Sequence, residues 1–211
     1  MRYLSLLATA AAAMILAASP AAAVPITLTA NLIGSNEVPP TGSPGTGFAT
    51  VVLDAAANTL HVDVTFSGLS PTTSTGAPSG TTASHIHCCL ASPFLTGVNV
   101  MVATTTPTFP GFPLGVTSGT YDMTFNLLDA ATYNPAFLTS MFDPSGTVPG
   151  AEAALVAGLL SGETYLNIHT TAFPGGEIRG FLAPVPEPAS IALLGSALAG
   201  LFLVRRRRKV A

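Results

Sequence analysis

The fold class is set by residues 59–66, which read Thr-Leu-His-Val-Asp-Val-Thr-Phe. Every second residue from Leu60 to Phe66 is apolar, and the residues between them are polar. This period of two is typical of a strand with one buried face. The same alternation recurs in residues 26–32, 121–127 and 165–169, and clusters of Gly, Pro, Ser and Thr separate these segments. The sequence therefore predicts a mainly β domain, an antiparallel sandwich or a barrel-like sheet.

Three stretches of the domain do not follow the β pattern. Residues 149–161 are rich in Ala and Leu and predict a helix of about three turns. Residues 128–142 predict one or two helical turns, interrupted at Pro135. Residues 71–82 contain no apolar anchors, which predicts an exposed and mobile loop. We therefore expect one or two short helices beside the strands.

The N-terminal end has the pattern of a secretory signal peptide. Arg2 is followed by an apolar stretch from Tyr3 to Ala18, and Pro20 ends that stretch. Residues 21–23 are all alanine, which provides a small-residue cleavage site. Residues 1–23 are therefore predicted to be a signal peptide, and the folded domain is predicted to begin at residue 24.

The C-terminal end has the pattern of a membrane anchor. The apolar run from Ala189 to Val204 would span ~24 Å as a helix, slightly less than the hydrocarbon core of a bilayer. Residues 205–209 are all basic and should stay in the cytoplasm, which places the domain outside the inner membrane. We therefore expect a domain over residues 24–183 and a sorting segment over residues 184–211.

The charge distribution excludes several classes of protein. The chain has 211 residues and a net charge of −3, but only 8% of its residues are charged. Arg179 is the only base in residues 24–183, against nine acidic residues, so this domain has a net charge of −8. A domain of that charge is not expected to bind nucleic acid. No catalytic motif is found, so we predict no enzyme activity.

Three of the four histidines are candidate metal ligands. His85 and His87 flank Ile86, so on a strand both side chains lie on one face. His169 lies in the polar phase of another predicted strand. Three imidazoles and one open position suit zinc or copper. A fourth ligand would come from the remaining candidates, which are Asp122, Glu177, Cys88, Cys89 and water. The alternative is that the three histidines belong to a hydrogen-bond network on a polar face.

The two cysteines, Cys88 and Cys89, are adjacent in the sequence. A disulfide between neighbours is possible but strained, because ordinary disulfides need a larger separation of the two Cα atoms. The alternatives are thiol ligands beside His87, intermolecular disulfides, or two small buried residues. Near the other end of the domain, Glu177 and Arg179 share a face of a predicted strand. As the only base of the domain, Arg179 is predicted to form a structural ion pair with Glu177 or with another acidic residue. Loss of Arg179 would then be strongly destabilising if the pair is buried.

Four sequence blocks occur together in one order. They are Glu-Val-Pro-Pro at 37–40, His-Ile-His at 85–87, Asn-Ile-His-Thr at 167–170 and Pro-Gly-Gly-Glu-Ile-Arg-Gly at 174–180. Over roughly residues 26–182 the chain resembles the CHRD domain, a family named for the animal protein chordin. The resemblance implies an extracellular, mainly β domain without an established enzyme activity. The residues that mark the family correspond here to Glu37, His85, His87, His169, Glu177 and Arg179.

The C-terminal segment resembles the PEP-CTERM sorting signal of Gram-negative bacteria. The resemblance rests on Val185, Pro186, Glu187 and Pro188, the apolar run behind them and the Arg-rich tail. It implies transient anchoring in the inner membrane, processing by an exosortase-type enzyme, and delivery to the cell surface or the medium. Such signals are frequent in bacteria that make exopolysaccharide.

These observations predict an exported binding module of the cell surface or extracellular matrix. Its expected partners are exopolysaccharide or other surface proteins. The alternative is a periplasmic or extracellular domain that binds copper or zinc through its histidines, with redox activity left open.

Overall fold

The structure is a computed structural model that describes residues 24–140 and 146–186, together with Gly195 and Leu198. The predicted signal peptide, residues 1–23, lies outside the described residues. So does the predicted transmembrane helix, residues 189–204, apart from those two single positions. Within the described part of the chain, no helix combines the length and the apolar character needed to cross a membrane.

Eight strands form one antiparallel sheet. They are β1 Ile26–Ile33, β2 Thr46–Asp54, β3 Thr59–Ser67, β4 Thr81–His87, β5 Gly119–Asn126, β6 Tyr165–Thr170, β7 Ile178–Phe181 and β8 Ala183–Pro184. Their order across the sheet is β4-β6-β7-β1-β2-β3-β5, and β8 pairs with β1. The mainly β prediction is confirmed. The eight strands belong to one hydrogen-bonded sheet, which forms a half-barrel.

The alternating residues that predicted the strands form the core. On β3, Leu60, Val62, Val64 and Phe66 are buried, while the residues between them are partly or fully exposed. They pack with the inward residues of β1, β2 and β5 in one hydrophobic cluster. Burial of these apolar side chains is the main favourable contribution to folding.

Among the described residues, two α-helices lie outside the sheet, α1 at Pro135–Leu138 and α2 at Val148–Ser161. Short 3-10 helices are formed by Gly34–Asn36 and Ala130–Thr132. Thr147 caps α2 by accepting a hydrogen bond from the Gly150 amide, and Gly162 ends it with a φ of 72°. The prediction of this helix is confirmed. Pro135 begins α1 instead of interrupting it, because proline has no amide to donate and fits the first turn.

The loop predicted at residues 71–82 is shorter than expected. Residues 71–79 are largely exposed and lie outside the named strands, whereas β4 begins at Thr81, inside the predicted loop. The β4 strand pairs with β6, and β6 pairs with β7. These three strands carry the candidate site on the face opposite to the core.

Candidate metal centre

The polar face of β4 and β6 brings the three predicted histidines together. His85 and His87 lie on β4, and His169 lies on β6, directly opposite Ala83. One nitrogen of each imidazole belongs to a group of atoms that all lie within 4.8 Å of one another. His85 and His87 are buried and His169 is half-buried. The cluster therefore borders the protein surface on the His169 side.

Each of these imidazoles donates a hydrogen bond to a backbone carbonyl with one of its two nitrogens. The bonds are His85 Nε2 to Pro107 O at 2.6 Å, His87 Nδ1 to Val100 O at 2.7 Å, and His169 Nδ1 to Pro174 O at 2.9 Å. A carbonyl oxygen can only accept, so each of these nitrogens carries the proton. The tautomer of all three rings is fixed in this way.

Burial keeps the three rings neutral. It lowers the pKa of His85 to about 4 and that of His87 to about 3, and it also lowers the pKa of His169. A neutral imidazole carries one proton, so the second nitrogen of each ring is a bare acceptor. Among the described residues, His85 Nδ1 and His169 Nε2 have no hydrogen-bond partner. His87 Nε2 lies 3.1 Å from Asn167 Oδ1.

This arrangement fits a transition-metal ion. Neutral imidazole nitrogens suit zinc and copper. Metal-binding histidines usually donate their other N–H to a carbonyl or carboxylate, which orients the ring, and all three histidines do so here. The sequence predicted that His85, His87 and His169 would lie close enough to share an ion, and the structure places them in that way.

The other predicted acidic ligands lie elsewhere. Glu177 accepts hydrogen bonds from Ser43 Oγ at 2.5 Å, the Ser70 amide at 2.6 Å and Thr170 Oγ1 at 2.5 Å. These donors occupy its two carboxylate oxygens, and it is not part of the histidine group. Asp122 lies on β5, at the opposite edge of the sheet, 3.7 Å from His61 Nε2. Both carboxylates are therefore excluded as ligands of this group.

Cys88 and Cys89 form a disulfide with each other. Cys88 belongs to the hydrophobic core, on the side of the sheet that carries α2, and both sulfur atoms lie within 3.9 Å of Ala154 O. A Cβ at Gly158 would overlap Cys88 Sγ, so α2 packs directly against the disulfide. The two cysteines offer no thiolate to the histidines, which corrects their prediction as possible ligands.

The predicted ion pair has a different acidic partner. Arg179 Nη2 lies 2.9 Å from Glu37 Oε2, and both side chains are 1% exposed. The guanidinium also donates to Val98 O at 3.0 Å and to Asn99 Oδ1. The pairing with Glu177 is wrong because the carboxylate of Glu177 is directed toward the hydroxyls of Ser43 and Thr170, before β7 begins.

Sequence reasoning missed two residues that surround His87. The ring of Tyr165 stacks on His87 with a centroid distance of 4.5 Å. The Arg179 guanidinium lies 3.9 Å from the centroid of the Tyr165 ring. Asn167 contacts His87 with its side-chain oxygen. Tyr165 and Asn167 share the phase of His169 on β6, so their position on the polar face could have been read from the alternation.

Two family profiles match the chain. The CHRD domain profile matches residues 28–182, and the profile of the PEP-CTERM protein-sorting motif matches residues 184–208. No curated protein and no solved structure matches. The sorting motif implies export through the inner membrane to the periplasm or the cell surface, a transient membrane anchor, and processing by an exosortase-type enzyme. CHRD is not a known enzyme family, which agrees with the expectation of a non-enzymatic module. Because its match covers most of the sequence, the chain belongs to the CHRD domain family.

Proposed function

We propose that this exported CHRD domain binds one transition-metal ion, zinc or copper, through His85, His87 and His169. The observation that carries the proposal is the convergence of three imidazole rings, each of which brings one nitrogen to within 4.8 Å of the others. Each ring is held in that orientation by a hydrogen bond from its other nitrogen to a backbone carbonyl.

The alternative is a polar network that only stabilises the fold, and it accounts poorly for the inner nitrogens. A hydrogen-bond network pairs donors with acceptors, but here three neighbouring ring nitrogens can only accept. Two of them, His85 Nδ1 and His169 Nε2, have no donor among the described residues. A buried polar atom without a partner costs about 1–3 kcal/mol. A cation would give all three nitrogens a partner at once.

The chemistry of the bound ion would depend on the metal. Zinc would act as a Lewis acid or as a structural centre, and copper would add one-electron chemistry. Because the domain is delivered to the cell surface, we expect it to bind the ion there, as a module of the surface or the matrix. No contact of the described residues selects an exopolysaccharide or a protein partner, so metal binding is the function that the geometry supports best.

Metal analysis of the exported protein tests the proposal. The protein is stripped with a chelator, equilibrated in separate samples with Zn²⁺ or Cu²⁺, freed of excess ion and analysed for metal per chain. We expect one tightly held ion, and no such ion in the His85→Ala/His87→Ala variant. His61→Ala is the matched control, because His61 is half-exposed on β3 and lies beside Asp122.

Thermal unfolding gives a second reading of the same experiment. An ion present at 100 times its Kd stabilises the folded state by about 2.7 kcal/mol, which raises the Tm of a protein that binds it. The rise should be absent in the double histidine variant and present in His61→Ala. Retention of the ion by the double variant, or no retained ion in the wild type, would contradict the proposal.

A further inference from the structure

Asn167 lies at the centre of the polar face that carries the histidines. It is opposite His85 on β4 and opposite Arg179 on β7, and it is 1% exposed. No sequence motif assigns a role to this side chain. Its amide has one oxygen, which can accept, and one nitrogen, which can donate, so its orientation decides what it offers to the site.

The contact between Asn167 and His87 joins two acceptors. The Nδ1 atom of His87 donates to Val100 O, which leaves Nε2 as the accepting nitrogen of the imidazole. That nitrogen lies 3.1 Å from Asn167 Oδ1, which also has no hydrogen to donate. Two lone pairs at this distance repel each other unless both atoms bind the same cation.

The surroundings of Asn167 oppose the reverse orientation of its amide. Burial raises the pKa of Glu37, and the neighbouring Arg179 and the Asn167 amide offset part of this rise. The oxygen of Asn167 faces His87, and a carboxylate paired with Arg179 favours the nitrogen of the amide, rather than its oxygen, on the side of Glu37. Asn167 Nδ2 has no hydrogen-bond partner of good geometry among the described residues. Reversing the amide would set its oxygen against the Glu37 carboxylate.

We infer that Asn167 Oδ1 is the fourth protein ligand of the ion held by His85, His87 and His169. This inference rests on the proposed metal binding. In a tetrahedral zinc site with metal–ligand bonds of about 2.0–2.1 Å, neighbouring ligand atoms lie about 3.3 Å apart. The 3.1 Å separation of Asn167 Oδ1 and His87 Nε2 is close to that value. The buried Glu37–Arg179 pair then acts as a positioning element that holds the amide oxygen toward the site.

An oxygen ligand also narrows the choice of metal. Three imidazoles and one amide oxygen form a ligand set without sulfur, because the two cysteines are in a disulfide. Soft sulfur ligands favour Cu⁺, whereas nitrogen and oxygen ligands suit Zn²⁺ and Cu²⁺. The site is therefore assigned to a divalent ion.

The test uses Co²⁺ as a spectroscopic probe in the exported protein. Four-coordinate Co²⁺ absorbs visible light far more strongly than five- or six-coordinate Co²⁺, so the spectrum reports the loss of a protein ligand that water replaces. The variants are Asn167→Ala and the nearly isosteric Asn167→Leu, each with its Zn²⁺ Kd and Co²⁺ spectrum measured. His61→Ala is the matched control, because His61 lies on β3 beside Asp122 and outside the histidine group.

We expect Asn167→Ala and Asn167→Leu to bind Zn²⁺ at least 10–100-fold more weakly, the loss that is typical even of residues that only orient a ligand. Their Co²⁺ absorption should weaken, whereas His61→Ala should retain the wild-type intensity. If Asn167→Ala does not fold, Asn167→Leu supplies the measurement.

Two results separate the failures. Histidine-dependent metal binding with an unchanged Kd and spectrum in the folded Asn167 variants would overturn the role of Asn167 alone. A wild-type protein that binds no ion would overturn the proposed function itself.

Discussion

Replacement of Arg179 by methionine tests the buried ion pair. Arg179→Met removes the guanidinium and keeps most of the apolar stem. In the wild type, Arg179 Nη2 lies 2.9 Å from the Glu37 carboxylate, which stays buried without a partner in the variant. Val98 O also loses its hydrogen-bond donor. The Tyr165 ring also loses the cation 3.9 Å from its centroid. Removing one partner of a buried pair typically costs 3–5 kcal/mol, so we expect a loss of about 4 kcal/mol.

Urea denaturation of the metal-free protein, followed by circular dichroism, measures this loss. With a slope of about 2 kcal/mol per M, a loss of 4 kcal/mol lowers the urea midpoint by about 2 M. The double variant Glu37→Gln/Arg179→Met removes both charges, and we expect it to recover part of the lost stability. A urea midpoint that falls by less than about 0.5 M in Arg179→Met would refute the reasoning. It would mean that leaving the buried Glu37 carboxylate without its partner does not lower the free energy of unfolding.

Two further predictions concern the core and the histidines. Gly158→Ala should destabilise the fold by about 1–3 kcal/mol, because its Cβ would overlap Cys88 Sγ, and an unchanged Tm would contradict this packing. The metal-free domain should lose stability as the pH falls below 6.5, because the unfolded chain titrates near 6.5 while burial keeps His85 and His87 neutral down to about 4 and 3. Over that range the unfolded chain binds more protons than the folded chain, so the free energy of unfolding falls by ~1.4 kcal/mol per pH unit for each histidine. Urea midpoints that stay level between pH 7 and pH 5 would contradict this prediction.

The sequence pattern predicts which residues share a face, and this was enough to find the histidines. His85 and His87 are two residues apart on one strand, and His169 lies in the polar phase of another. Alternation does not reveal which strands pair. It therefore left the choice between a sandwich and a barrel-like sheet open, and only the pairing of β4 with β6 brings His169 to the other two.

The protonation of the site depends on residues that no local pattern marks. The three carbonyls that fix the imidazole tautomers belong to Val100, Pro107 and Pro174, all outside the named strands. The partner of Arg179 was missed for a similar reason. Glu37 follows β1 and is distant from Arg179 in sequence, whereas Glu177 is only two residues away, and proximity in sequence favoured the wrong carboxylate.

X-ray absorption spectroscopy of the exported protein loaded with Zn²⁺ tests the three-histidine site most directly. We predict nitrogen and oxygen neighbours at about 2.0–2.1 Å, with the outer scattering of about three imidazoles and no sulfur. A spectrum without imidazole scattering, or one with a sulfur neighbour at about 2.3 Å, would contradict ligation by His85, His87 and His169.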